Sequence, residues 1–151
     1  MAQNKNEGLT KLKALLSGAR ICMLTTRDAD GNLRSRPMAL QETEVDGDLW
    51  FFTARHSPKM DEVHADDRVN VAVMNGEAYI SISGRAKEVE DRKKAEELWN
   101  PAYKVYFPKG FEDPELVLLK VSMDQAEYWD RPGGIVTTLI TYVKTLTSGG
   151  Q

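Results

Sequence analysis

Thr53, Arg55, Ser57 and Lys59 put two hydroxyls and two cations within seven residues. Ser57-Pro58 also reads as a helix start, with Ser at the cap and Pro at the first helical position. A helix start offers free backbone N–H groups and a partial positive charge, so it suits an anion. With hydroxyls and cations beside it, the anion it suits best is a phosphate. The alternative is an ordinary polar strand end followed by a capped helix. His56 lies inside the cluster, where either a binding role or a surface loop fits it. Arg34 and Arg36 share one side-chain parity, so either could reach a ligand, although exposed arginines are ordinarily just solvated.

Those residues need elements to hold them. Leu49 to Thr53 is a dense apolar and aromatic run, long enough for a buried strand, and it delivers the cluster at its end. Before it, Leu33 to Glu42 reads as a strand, and Asp46-Gly47 is a strong hairpin turn. Pro37 removes a ladder donor from the earlier strand, so that position faces an edge, a bulge or a ligand. Glu7 to Leu16 has helical spacing, with Leu9, Leu12, Leu15 and Leu16 on one face and Gly18 as the stop. Ile21 to Arg27 reads as a strand, and Pro58 to Ala65 as a short helix. Arg68 to Met74 and Ala78 to Glu90 read as a hairpin over Asn75-Gly76, and Gly84 marks a bulge. Asp91 to Trp99 is helical in composition, with a charged run that suits a solvated face. A loop then carries Tyr103, Tyr106 and Phe107. Leu116 to Val121 and Ala126 to Trp129 read as two further strands, and Arg131 to Gly134 as a turn. From Ile135 to Leu146 the composition favours strand, but the spacing of Ile135, Leu139, Val143 and Leu146 favours helix, which is the expectation taken. Residues 1–6 and 148–151 read as disordered tails.

The fold expected from these elements is mainly β with short helices, a small antiparallel barrel with helices at its ends, formed by residues 1–151 as one domain. The chain has 151 residues, of which 41% are hydrophobic and 28% charged. A domain of that length buries about 68–70% of its unfolded surface. The net charge of −3 argues against nucleic-acid or anionic-membrane partners, which need a basic face. One cysteine, Cys22, allows no internal disulfide, and its apolar neighbours suit a buried structural thiol. With that cysteine and only two histidines, no zinc site of the usual kind can be assembled. His64 reads as a solvated residue at a helix end. The N-terminus lacks the apolar core of a signal peptide, and no run approaches the ~18 apolar residues of a membrane span, so a cytoplasmic location is expected. No Rossmann or P-loop glycine pattern and no Gly-x-Ser-x-Gly elbow occurs.

Several ordered pieces carry a resemblance: Arg34–Met38, Asp46–Arg55, Ser57-Pro58-Lys59, Tyr79–Ala86, Glu97–Pro101 followed by Tyr106–Gly110, and Glu127–Asp130. Together they resemble the flavin-binding split-barrel proteins related to pyridoxamine-phosphate oxidase, in particular the general stress protein 26 branch. The resemblance implies a six-stranded antiparallel split β-barrel with flanking helices, assembled as a homodimer with FMN in two interface clefts. FAD or a deazaflavin is a lesser expectation for the same cleft. By the same resemblance, Arg36, Pro37, Met38 and Ala39 match the strand that lines the flavin ring and reaches the phosphate end. Phe52 and Thr53 match flavin contacts of the next strand, Ser57 and Lys59 match the hydroxyl and cation of the phosphate, and Trp129 matches an aromatic brought across the dimer.

The departures are as informative. A true oxidase of this family carries a lysine at the end of the strand where this chain continues Ala39-Leu40-Gln41. It also carries a late Arg-x-His for the substrate phosphate, whereas no histidine follows His64 here. The resemblance therefore implies a flavin-dependent oxidoreductase of undefined substrate, with an NAD(P)H-linked reductase as one form, and not a pyridoxamine-phosphate oxidase. A flavin-binding or flavin-buffering stress protein without turnover is the alternative.

Overall fold

The structure, a computed structural model, describes residues 5–41, 47–76, 78–129 and 137–141. The first helix, α1 (Lys5–Leu16), buries Leu12 and Leu16 against the sheet, with Leu9 and Leu15 packed alongside. It begins at Lys5, so residues 5 and 6 are helical where a disordered tail was expected. β1 (Ile21–Arg27) and β2 (Leu33–Ala39) form a hairpin whose turn is tied by the Asp28 carboxylate, which accepts from the Asp30 and Asn32 backbone N–H groups. β3 (Leu49–Ala54) leads into α2 (Pro58–Ala65). β4 (Arg68–Asn75) and β5 (Ala78–Val89) form the next hairpin, with Gly76 at positive φ in its turn. Then come α3 (Arg92–Leu98), 3-10 turns at Pro101–Val105 and Gly110–Glu112, β6 (Leu116–Trp129) and β7 (Thr137–Thr141). No helix among the described residues is long and apolar enough to cross a membrane.

The strands form one antiparallel sheet in the order β2-β1-β4-β5-β6-β3, with β7 beside the far half of β6. The sheet curls around a core built from alternate residues of each strand. Val69, Val71 and Val73 of β4 point inward, as do Ile80 and Ile82 of β5, Leu119 and Val121 of β6, and Phe51 of β3. A second, smaller cluster covers the outer face of β3 and β6, where Trp50, Leu116 and Leu118 meet Ala95 of α3 and Phe107. β3 is therefore buried on both faces, which explains its unbroken apolar run.

Three further sequence expectations change. The stretches Leu116–Val121 and Ala126–Trp129 belong to a single 14-residue strand, β6. The polar residues between them contain a bulge: Gly84 faces Met123 and Ser83 faces Gln125, which leaves Asp124 as the extra residue. Within 135–146, residues 137–141 are a strand, because pairing with Gln125–Trp129 outweighs the helical spacing. β2 ends at Ala39, where the Leu40 backbone N–H turns to the Arg20 carbonyl. The expected turn at Arg131–Gly134 and the tail at 148–151 lie outside the described residues, as does Asp46 of the Asp46-Gly47 turn.

Candidate functional site

β2 and β3 are the two ends of the six-strand path and face one another without pairing. Each has a partner on one side only, so backbone N–H and C=O groups on the other side point into the gap. Pro37 has no donor to lose there, which accounts for a proline in this strand. The gap is a cleft of about 580 Å³. Pro37, Met38 and Ala39 line one wall, and Phe52, Thr53 and Ala54 the other. Lys59 closes one end, while Tyr103, Tyr106 and Phe107 roof the gap.

Lys59 is the charged side chain of this lining. Its Nζ donates to Thr53 Oγ1 at 2.7 Å and to Ser57 Oγ at 3.3 Å. Among the described residues no carboxylate is paired with it. Burial, and secondarily the nearby Arg36 charge, hold its pKa below the ordinary 10.5. A part-buried Lys59 therefore feels a second cation, and it has an ammonium proton to spare. That is the electrostatic condition for seating an anion.

The depressed lysine has a testable consequence. The unfolded chain keeps this proton up to about pH 10.4, whereas the folded chain releases it at lower pH. Across that window the unfolded state binds more protons, so the group's contribution to stability rises with pH. The stability of wild type relative to Lys59→Ala, measured by denaturant unfolding without ligand, is expected to increase as pH rises into the alkaline range. A difference that stays flat with pH would show that Lys59 is not held in this way.

Ser57 does not cap α2 with its side chain. Its hydroxyl donates to the Ala54 carbonyl at 2.9 Å and accepts from Lys59, so it orients the lysine instead. Arg36 is not among the residues that line the cleft. Its Nη1 donates to Thr26 Oγ1 at 2.7 Å, and its Nη2 to Glu62 Oε1 at 3.0 Å. Arg55 leaves the cluster altogether, pairing with Glu88 and Glu90 and donating to the Pro114 carbonyl. His56 is exposed beside Glu115, and His64 beside Glu88. Burial pushes the Cys22 thiol up to about 12, as befits a structural thiol.

Of the residues singled out from sequence, Pro37, Met38, Ala39, Phe52, Thr53 and Lys59 line one cleft, with Ser57 and Arg36 adjoining it. Trp129 does not reach the cleft of its own chain. It lies in a shallow apolar depression on the outer sheet face with Met23, Met74 and Tyr79. Tyr103 and Gln41 were given no role from sequence. Gln41 Nε2 donates to the Tyr103 hydroxyl at 2.6 Å, and the Tyr103 ring packs on Phe52 and Trp99. The aromatic residues after Asn100-Pro101 were visible, but only the fold brings them over the gap.

A curled antiparallel sheet left open between two edge strands is the architecture of a split barrel. Residues 7–151 match the profile of the family described as pyridoxamine 5'-phosphate oxidase like, and the chain belongs to that family. Solved structures agree. The general stress protein 26 of Bacillus anthracis str. Sterne is 28% identical, with a TM-score of 0.75 over 83% of this chain and 96% of that one. The general stress FMN/FAD binding protein of Xanthomonas citri is 30% identical, with a TM-score of 0.70 over 86% of this chain and 93% of that one. A Clostridium acetobutylicum protein related to general stress protein 26 shares the fold at a TM-score of 0.76 and 16% identity, over 91% of this chain and 96% of that one. No curated protein matches the sequence.

Proposed function

We propose that this chain is a flavoprotein that holds FMN in the β2–β3 cleft as a homodimer and acts as a flavin-dependent oxidoreductase. The observation that carries this proposal is the part-buried Lys59, with no carboxylate partner among the described residues, at the end of a mostly apolar cleft. A phosphate monoester would supply the missing anion. A planar ring would take the apolar walls, and the unpaired backbone of the edge strand would serve its polar edge. Lys59, Thr53 and Ser57 would hold the phosphate end with Arg36 behind them, and Pro37 to Ala39 and Phe52 would flank the ring. When bound, the flavin supplies two-electron redox chemistry. The chain binds it, orients it and excludes water.

FMN is favoured over FAD because, among the described residues, Lys59 is the one charged side chain that lines the cleft, which suits a single phosphate group. Pyridoxamine phosphate is not the expected substrate, since the position that bears a lysine in a true oxidase bears Gln41, two residues past the end of β2 and held by Tyr103. Fluorescence titration tests the proposal. FMN should bind well and riboflavin distinctly less well, because the anion seat recognises the phosphate. Failure to bind either would reject the flavin assignment. NAD(P)H reduction of the bound flavin would support the reductase form. Refusal of every donor would leave a flavin-binding stress protein without turnover, a version consistent with Lys59 as the cleft's charged lining residue.

The dimer is proposed from the outer sheet face. Ile21, Met23, Met74 and Tyr79 are all exposed there, and the register sets Tyr79 between Met74 and Trp129. Ile21 also lines the cleft, so a second copy laid on this face would wall it. Exposed apolar patches of this kind mark association surfaces. Light scattering should give twice the 17.0 kDa chain mass, and Met74→Glu should shift the population to monomer with weaker flavin retention. A wild-type monomer that still binds FMN would refute the interface site.

A further inference from the structure

Arg36, whose charge acts on Lys59, is paired with a buried carboxylate to which the sequence reading gives no role. Glu62, on the second turn of α2, is 8% exposed. Its Oε1 accepts from the buried Thr26 hydroxyl at 2.5 Å and from Arg36 Nη2 at 3.0 Å. Its Oε2 lies 3.7 Å from Arg34 Nη1. The Thr26 hydroxyl in turn accepts from Arg36 Nη1 at 2.7 Å. An arginine can only donate, so the direction of each bond in this ring is fixed: Arg36 to Thr26, Thr26 to Glu62, and Arg36 to Glu62.

We propose that Glu62 is the positioning residue of the anion seat, fixing the Arg36 guanidinium both directly and through the Thr26 hydroxyl so that its charge adds to that of Lys59. The inference rests on the proposal that the cleft takes a flavin phosphate. Two like charges repel, and nothing in Lys59's own bonds would keep Arg36 beside it. The ring of bonds to Glu62 does so, beside a longer bond from Arg36 Nη1 to the Leu24 carbonyl at 3.4 Å, and satisfies the carboxylate at the same time. A purely structural account explains the cluster less well, because apolar residues of similar volume usually stabilise a core as well as a buried ion pair does. The negative charge of Glu62 opposes an incoming anion. Two arginines offset it, and Lys59 remains without a carboxylate partner among the described residues.

The test compares FMN with riboflavin on the full-length protein. Glu62→Gln keeps the shape and removes the charge that anchors Arg36. FMN affinity is expected to fall about tenfold, the low end for a charge-assisted hydrogen bond, with riboflavin affinity unchanged. The discrimination between the two ligands therefore shrinks by the same factor. Should E62Q fail to fold, Glu62→Asp draws the carboxylate back from both Arg36 and Thr26 and should shrink the same ratio. An unchanged ratio in the folded variant, or FMN and riboflavin weakened alike, would overturn the role of Glu62 while leaving the flavin assignment standing. A wild-type protein that binds neither ligand would overturn both.

Discussion

Lys59→Ala is expected to weaken FMN binding by about 1.5–3 kcal/mol, roughly ten- to 150-fold, while leaving the protein folded. The size follows from what the ammonium does. It is the charged side chain lining the cleft, and Thr53 and Ser57 hold it in one place. A phosphate seated there would lose its strongest partner. The two hydroxyls would remain, as would Arg36 behind them. The stability side of the prediction follows from the depressed lysine pKa. In the empty fold the charged form is disfavoured by burial and by Arg36, so removing the charge takes nothing from the apo protein that burial had not already weakened. Titration of folded K59A with FMN reads the first part, and a melting curve the second. Unchanged affinity would remove Lys59 from the site, and an unfolded variant would give it a structural role instead.

Gly84→Ala is expected to produce the largest loss of stability from a single added methyl. A Cβ built at Gly84 would lie 2.2 Å from the Ser122 carbonyl oxygen and 3.0 Å from its carbon. Those atoms are backbone, in β6, and cannot rotate away as a side chain would. Position 84 also lies across from the bulge at Asp124, where the register between β5 and β6 shifts. The methyl therefore has to part the two longest strands of the sheet. Overpacking of this kind costs about 3 kcal/mol at the upper end of its usual range. For a chain of this size that is on the order of 10 °C in Tm. The remaining folded protein should still bind flavin, since Gly84 lies away from the cleft. A Tm within a degree or two of wild type would mean that the strands are not so closely set at the bulge.

Local signals carried much of this architecture. Ser57-Pro58 marked the start of α2, and the alternation of Val69, Val71 and Val73 marked β4, because a cap or a period of two is written in adjacent residues. The cleft was legible to the same degree. Pro37 announced an edge, and the apolar run ending at Thr53 announced a strand that delivers polar groups. What escaped was set by pairing across the sheet. Ser122 to Gln125 read as a break because a bulge exposes its polar residues, while β5 keeps the strand continuous through it. Residues 137–141 read as helix because spacing there was ambiguous, and β6 decided it. Arg55 looked like part of the anion seat by proximity in sequence, yet Glu88 and Glu90 draw it elsewhere. Glu62 meets Arg36, and Tyr103 meets Phe52, only when helix and turn are laid against the barrel.

The most direct test of the central claim is the absorption spectrum of freshly purified protein, followed by mass spectrometry of what acid releases from it. The flavin assignment predicts a yellow protein releasing FMN at about one per chain, as two symmetric interface sites per dimer require. A colourless protein that also fails to take up added FMN or FAD would contradict it, and would leave the chain sharing a fold with flavoproteins without their cofactor.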